Sequence, residues 1–242
     1  DDYVSWTFRK APKFFDVVAY EGTGASLTLD HNLGVAPELV IMRRRDATAN
    51  WAVSLPGHTQ YAYLNLSNAA GSGSLVTSTS ATQMTIIGDS DFNISGSDAI
   101  AYLFAHNDGD GEFGEDADQD IIKCGSFNTG GSGTGSVELG FEPQFCILKS
   151  SSTAGNWVIS DVMRGASVNT TNNRQYLLAN SSGAESASEG FYPTSTGFVY
   201  QGLPTSTDYI YIAIRRGPMK TPEDATEVFA IDTKNVGFPS FI

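Results

Sequence analysis

Residues 32–54, NLGVAPELVIMRRRDATANWAVS, return as residues 138–160, ELGFEPQFCILKSSSTAGNWVIS. In each copy a glycine (Gly34, Gly140) stands three residues before a proline (Pro37, Pro143), and an Asn-Trp pair (Asn50-Trp51, Asn156-Trp157) follows at one common spacing. The offset is 106 residues, the distance from Trp51 to Trp157. That period is too long for a solenoid unit and fits a small β-domain. The sequence therefore reads as a tandem repeat.

Hydrophobic patterning gives the same class. The runs ELVIMRRR and QFCILKSS each carry four consecutive apolar residues, as expected of a central strand covered on both faces. Residues 61–72, YAYLNLSNAAGS, align with residues 175–186, QYLLANSSGAES, and MTIIG at 84–88 with GFVYQG at 197–202. Strand and turn signals alternate at sandwich-like intervals, about six to eight strands per unit, and no amphipathic helix exceeds two turns. The expected fold is all-β, with two tandem β-sandwich-like repeats of about 105–110 residues and partial units at both ends. Repeat 1 is assigned to 16–109, an acidic linker to 110–119 and repeat 2 to 120–219.

The ends extend the pattern. Residues 3–12, YVSWTFRKAP, alternate with Val4, Trp6 and Phe8 on one side, and they resemble residues 209–218, YIYIAIRRGP. Residues 1–15 are accordingly read as the terminal strand of a partial repeat. AIDTKNVGFP near the C-terminus resembles TLDHNLGVAP at 28–37, so residues 220–242 read as the opening strands of a partial third repeat. The two ends are expected to complete one unit, within one chain or between chains.

Fourteen basic residues stand against 27 acidic ones, a net charge of -13. This excess argues against a nucleic-acid partner, whose phosphates need clustered cations. No apolar run approaches a membrane span, so no membrane insertion is expected. Cys124 and Cys146 lack metal-ligand spacing and read as buried free thiols occupying the places of Tyr20 and Val40, with a disulfide between neighbouring strands as the alternative.

His31, His58 and His106 have no counterpart in the other repeat and read as exposed loop residues. No nucleophile elbow, phosphate loop or dinucleotide pattern occurs, and Glu138, Glu142, Asp161 and Glu189 select no glycosidase pair. The expectation is a non-enzyme without a cofactor. Asp108, Asp110 and Glu112 alternate as in a calcium loop, but Phe113 replaces the required glycine and the bidentate Glu is missing, so a solvated linker is the preferred reading. Arg43, Arg44 and Arg45 form the single basic triplet, where repeat 2 has Lys149-Ser150-Ser151. They read as a solvated strand end or as a contact for an acidic neighbour. Trp51 and Trp157 offer faces for stacking on a glycan, although duplication favours a core role.

YVSWTFRKAPKFFDVVAYEGTG, the spaced Gly and Pro, NWAVS and NWVIS, AYLFAH, and DVMRGA followed by QYLLANSS resemble the repeated β-domain of tail-fibre and other virion proteins of tailed bacteriophages, marine ones especially. That resemblance implies a virion structural protein, a tail-fibre or surface-fibre component in appendage assembly or host attachment. It also implies a homo-oligomer, commonly a trimer, with other virion proteins and a host surface glycan as partners. The alternatives are a carbohydrate-binding module or a polysaccharide depolymerase.

Overall fold

The computed structural model describes residues 5–165, 175–187, 191–217, 231–233 and 239–241. Repeat 1 runs β1 (Phe15–Glu21), β2 (Leu27–Asp30), β3 (Leu39–Arg44), β4 (Ala52–Ser54), β5 (Gln60–Tyr63), β6 (Gly71–Ser72), β7 (Val76–Thr79), β8 (Gln83–Ile86) and β9 (Asp98–Phe104). Repeat 2 follows with β10 (Ile122–Asn128), β11 (Gly135–Glu138), β12 (Pro143–Ser150), β13 (Trp157–Asp161), β14 (Gln175–Leu178), β15 (Ser186–Ala187), β16 (Phe191–Thr194), β17 (Gly197–Tyr200) and β18 (Asp208–Arg215). The protein is all-β, with nine strands in each repeat among the described residues, where the sequence indicated six to eight.

In repeat 1 a six-stranded antiparallel sheet, β1-β9-β3-β4-β5-β6, accompanies a three-stranded one, β2-β8-β7. Repeat 2 reproduces both, as β10-β18-β12-β13-β14-β15 and β11-β17-β16. The apolar runs become β3 and β12, each hydrogen-bonded on both edges, and Leu39, Val40, Met42, Phe145, Cys146 and Leu148 are buried. Gly34 and Gly140 turn the chain into these strands at φ of 75° and 76°, a left-handed conformation that glycine adopts without steric penalty.

Two apolar clusters divide the interior. The smaller belongs to repeat 2 alone: Cys146, Leu148, Tyr211 and Ala213 of the large sheet meet Phe191 and Phe198 of the small one. The larger contains the core of repeat 1 and, joined to it, Cys124, Phe145, Trp157, Ile159, Ile210 and Ile212 from the opposite face of repeat 2's large sheet. Repeat 2 is thus covered on one side by its own small sheet and on the other by repeat 1. At about 25 cal/mol per Å² of buried apolar surface, a seam built from such side chains holds the repeats as one body.

Several expectations change. Ser5–Lys10 form no strand among the described residues, although Trp6 and Phe8 do pack against the core. The ring of Trp6 lies 5.7 Å from that of Phe145, and its Nε1–H donates to Asp161 Oδ2 at 3.1 Å. Alternation reports which side chains are buried and carries no information about a ladder partner. Ile231–Thr233 and Pro239–Phe241 pair with each other, whereas Leu29 and Asp30, the counterparts of Ile231 and Asp232 in repeat 1, pair with β8. Residues 1–4, 218–230, 234–238 and 242 lie outside the described residues.

The acidic connector is not a free tether. Phe113 bridges to Gln119 and packs edge-on against Phe14, with ring centroids 6.4 Å apart. The carboxylate of Asp120 accepts the N–H groups of Gly109 and Gly111. Just before it, the buried Asn107 joins the repeats: its Nδ2 donates to Lys13 O at 2.9 Å, and its Oδ1 accepts from the amides of Ile121 and Ile122.

The alignment of repeats also shifts locally. Gln60, Tyr61 and Asn65 correspond to Gln175, Tyr176 and Asn180, one residue from the sequence alignment, because Ala52 pairs with Tyr63 as Val158 pairs with Leu178. The offset is 106 through β13 and 115 from β14, so repeat 2 carries nine extra residues between these strands. Cys124 takes the place of Val17 rather than Tyr20, since Cys124 pairs with Ile212 as Val17 pairs with Tyr102. Both thiols are free and buried. Cys124 and Cys146 pair with successive residues of β18, Ile212 and Ala213, so they point to opposite faces of the sheet.

Candidate functional site

The Asn-Trp motif builds one clasp twice. Trp51 N donates to Asn65 Oδ1 at 2.9 Å, and Asn65 Nδ2 donates to Asn50 Oδ1 at 2.9 Å. In repeat 2 Trp157 N donates to Asn180 Oδ1 and Asn180 Nδ2 to Asn156 Oδ1, each at 2.9 Å. These asparagines satisfy backbone groups where β4 and β13 begin, so the motif is scaffold. Asn65 and Asn180 were missed in the sequence because the alignment there is one residue out.

The two indoles then differ. Trp157 is 1% exposed and its Nε1–H donates at 2.8 Å to Tyr63 O of repeat 1. Buried in the seam, it is unavailable for stacking on a sugar, which corrects the glycan assignment for that residue. Trp51 is half-buried and its Nε1 has no hydrogen-bond partner among the described residues. It lines an open apolar depression of about 440 Å³ with Val17, Ile41, Leu64, Tyr102 and Phe104, to which Trp6, Thr7 and Phe8 of the N-terminal segment also contribute. The guanidinium of Arg43 lies 5.0 Å from the Trp51 ring centroid, a cation-π contact.

The arginine triplet separates by strand alternation. Arg43 turns towards Trp51 and keeps a buried Nε without a partner. Arg44 pairs with Asp46 at 2.9 Å, as a strand end in an acidic protein would. Arg45 is exposed and its backbone N–H donates to Asp98 O.

Repeat 2 places Lys149 where repeat 1 has Arg43, and this residue is fully buried. Its ammonium donates to Asn68 O of repeat 1 and to Ser150 O, both at 2.8 Å. Burial pushes its pKa down from 10.5 to about 8, because the charged form loses hydration. The sequence contains no signal for this, since a lysine ending a strand ordinarily reaches solvent.

The calcium candidates do not converge. Asp108 pairs with Lys123 at 3.3 Å, Asp110 Oδ1 accepts the Asp108 amide, and Glu112 pairs with Lys13 at 2.8 Å. Among the described residues no group of three or more His, Cys, Asp or Glu could hold a metal ion.

The histidines are not exposed loop residues. His31 is 4% exposed, its Nδ1 accepts from Leu33 N, and burial lowers its pKa. His58 hydrogen-bonds Ser54 Oγ and Pro37 O, and His106 contacts the backbone of Cys124. His58 and His106 tie separate segments together. The glycosidase candidates that are described are equally committed: Glu138 to Thr196, Glu142 to Arg216, and Asp161 to Trp6 and the Arg164 amide.

No helix among the described residues is long and apolar enough to cross a membrane. No curated protein and no solved structure matches the chain. A family profile matches residues 4–218, which takes in both repeats and the segment carrying Trp6. With that match the chain belongs to the family described as Domain of unknown function (DUF7483).

Proposed function

We propose that this chain is a non-catalytic structural component of a bacteriophage virion, part of a tail fibre or surface fibre that serves appendage assembly and host attachment. The observation that carries this reading is the apolar seam, in which Trp157 and Lys149 of repeat 2 are buried against repeat 1. Two sandwiches joined in this way form a stiff segment, as a fibre requires, instead of two independent modules. The commitment of Glu138, Glu142, Asp161 and His58 to scaffold partners supports a non-enzymatic role. The phage assignment itself rests on the sequence resemblance.

In this reading the partners are other virion proteins and further copies of the chain, as in the proteins it resembles, which are often trimers. Of Trp51 and Trp157, the exposure of Trp51 supports it as the one to stack on a host glycan. Mass spectrometry of gradient-purified particles tests the proposal: the chain is expected at fixed stoichiometry, and antibodies against it should label an appendage and block adsorption. Its absence from purified particles would refute the assignment.

A further inference from the structure

The contact between the repeats is one-sided. Repeat 1 reaches repeat 2 through the segment after β5: Tyr63 O receives the Trp157 indole, Asn68 O the Lys149 ammonium, and Ser67 O the Gly155 amide at 2.7 Å. Ala70 N closes the set by donating to Ser151 O at 2.9 Å. The matching segment of repeat 2 follows β14, and residues 181–186 there are exposed. The matching receptor in repeat 1 is the Trp51 face, which is open.

Each half of the contact therefore has an unused counterpart. By the 115-residue offset, Leu178, Ser182, Gly183 and Glu185 stand for Tyr63, Ser67, Asn68 and Ala70. By the 106-residue offset, Trp51, Arg43, Ala49 and Arg45 stand for Trp157, Lys149, Gly155 and Ser151. The free segment already has the docking shape, because Leu178 O accepts from Ser181 N at 3.2 Å as Tyr63 O accepts from Leu66 N at 3.1 Å. The free face already has an unmet donor, since the Trp51 Nε1–H has no partner among the described residues.

We propose that the Trp51 face of one chain receives the β14–β15 segment of a second copy, repeating between chains the contact that joins repeat 1 to repeat 2. The Trp51 indole then donates to the carbonyl of Leu178 of the neighbouring copy, and Arg43 reaches that of Gly183. Charge is compatible with the pairing: Glu185, which pairs with Arg164 of its own chain, replaces Ala70 on one side, and the exposed Arg45 replaces Ser151 on the other. A contact made by two different surfaces is heterologous, so it propagates head to tail into a ring or filament. The inference stands on the repeat geometry and does not depend on the virion reading.

Sedimentation velocity over a concentration series tests it. The wild-type chain should show mass-average growth beyond a dimer. Trp51→Glu, with Arg43→Glu as a second blocking variant, removes the receptor face; Gly183→Trp removes the inserting segment and leaves the pair of Glu185 with Arg164 intact. Each variant should sediment as a monomer with an unchanged circular dichroism spectrum and melting temperature. An equimolar mixture of a receptor-face variant with the segment variant should give a capped dimer and nothing larger, because one intact half remains on each partner. A wild-type chain that stays monomeric throughout, including one that binds glycans through Trp51, would overturn the proposal. So would folded blocking variants that still associate, or a mixture that stays monomeric.

Discussion

Lys149 is the residue whose perturbation can be worked furthest. Its pKa falls from 10.5 to about 8 on folding because burial disfavours the ammonium. Between these values the unfolded chain holds more protons than the folded one, so stability rises with pH through that window. Below the folded value the ammonium stays charged in both states and the full penalty applies, about 3 kcal/mol from the size of the shift. Raising the pH from 7 to 9.5 recovers about 2 kcal/mol of it. Lys149→Met keeps the length of the side chain and removes the titration, at the cost of leaving the Asn68 and Ser150 carbonyls without this donor. Urea unfolding of both proteins, at a dilution where the chain is monomeric, isolates the effect in their difference. Tyr211, held up at about 12 by burial, and the other tyrosines contribute equally to both and cancel. The wild type should gain about 2 kcal/mol on the variant from pH 7 to 9.5. A difference that stays flat over this range, or that moves the other way, would show that the ammonium is not buried in the seam.

The two tryptophans should separate in stability. Trp157→Phe loses the bond to Tyr63 O and leaves a void, and should cost about 1–3 kcal/mol in chemical denaturation, whereas Trp51→Phe should cost less than about 1 kcal/mol. Equal losses would contradict the different burial of the two. Burial raises both cysteine thiols well above their ordinary pKa, so a thiol reagent should label neither in the native protein and both in denaturant. Rapid native labelling of either would disprove their placement.

Much of the fold was legible because each repeat restates the other. The shared spacing of Gly34, Pro37 and Trp51 with their counterparts located β3 and β12, and unbroken apolar runs marked them as central strands. Legibility failed where pattern and partner diverge. Trp6 and Phe8 alternate as a strand would, yet they fill a seam without a ladder. A one-residue slip at β14, next to a nine-residue insertion, hid the Asn65 and Asn180 clasp, since a slip by one reverses every side chain. The candidate site was half visible. Comparing the copies pointed to the arginine triplet as the part that changes, but an apolar face that meets another repeat has the same composition as one that meets its own sheet. Only the arrangement in space distinguishes Trp157, which is covered, from Trp51, which is open.

Asn107 has a mechanical consequence. Its amide grips Lys13 O on one side and the Ile121 and Ile122 amides on the other, and its own N–H donates to Ile122 O at 2.9 Å. These bonds short-circuit the loop from Asp108 to Asp120, whose length is slack while they hold. A pull along the chain is borne first by this one buried side chain and the seam beside it. The acidic loop would pay out only after they rupture, so stretching the protein should show a stiff, brittle response at first, followed by a short, compliant extension before either sandwich begins to unravel.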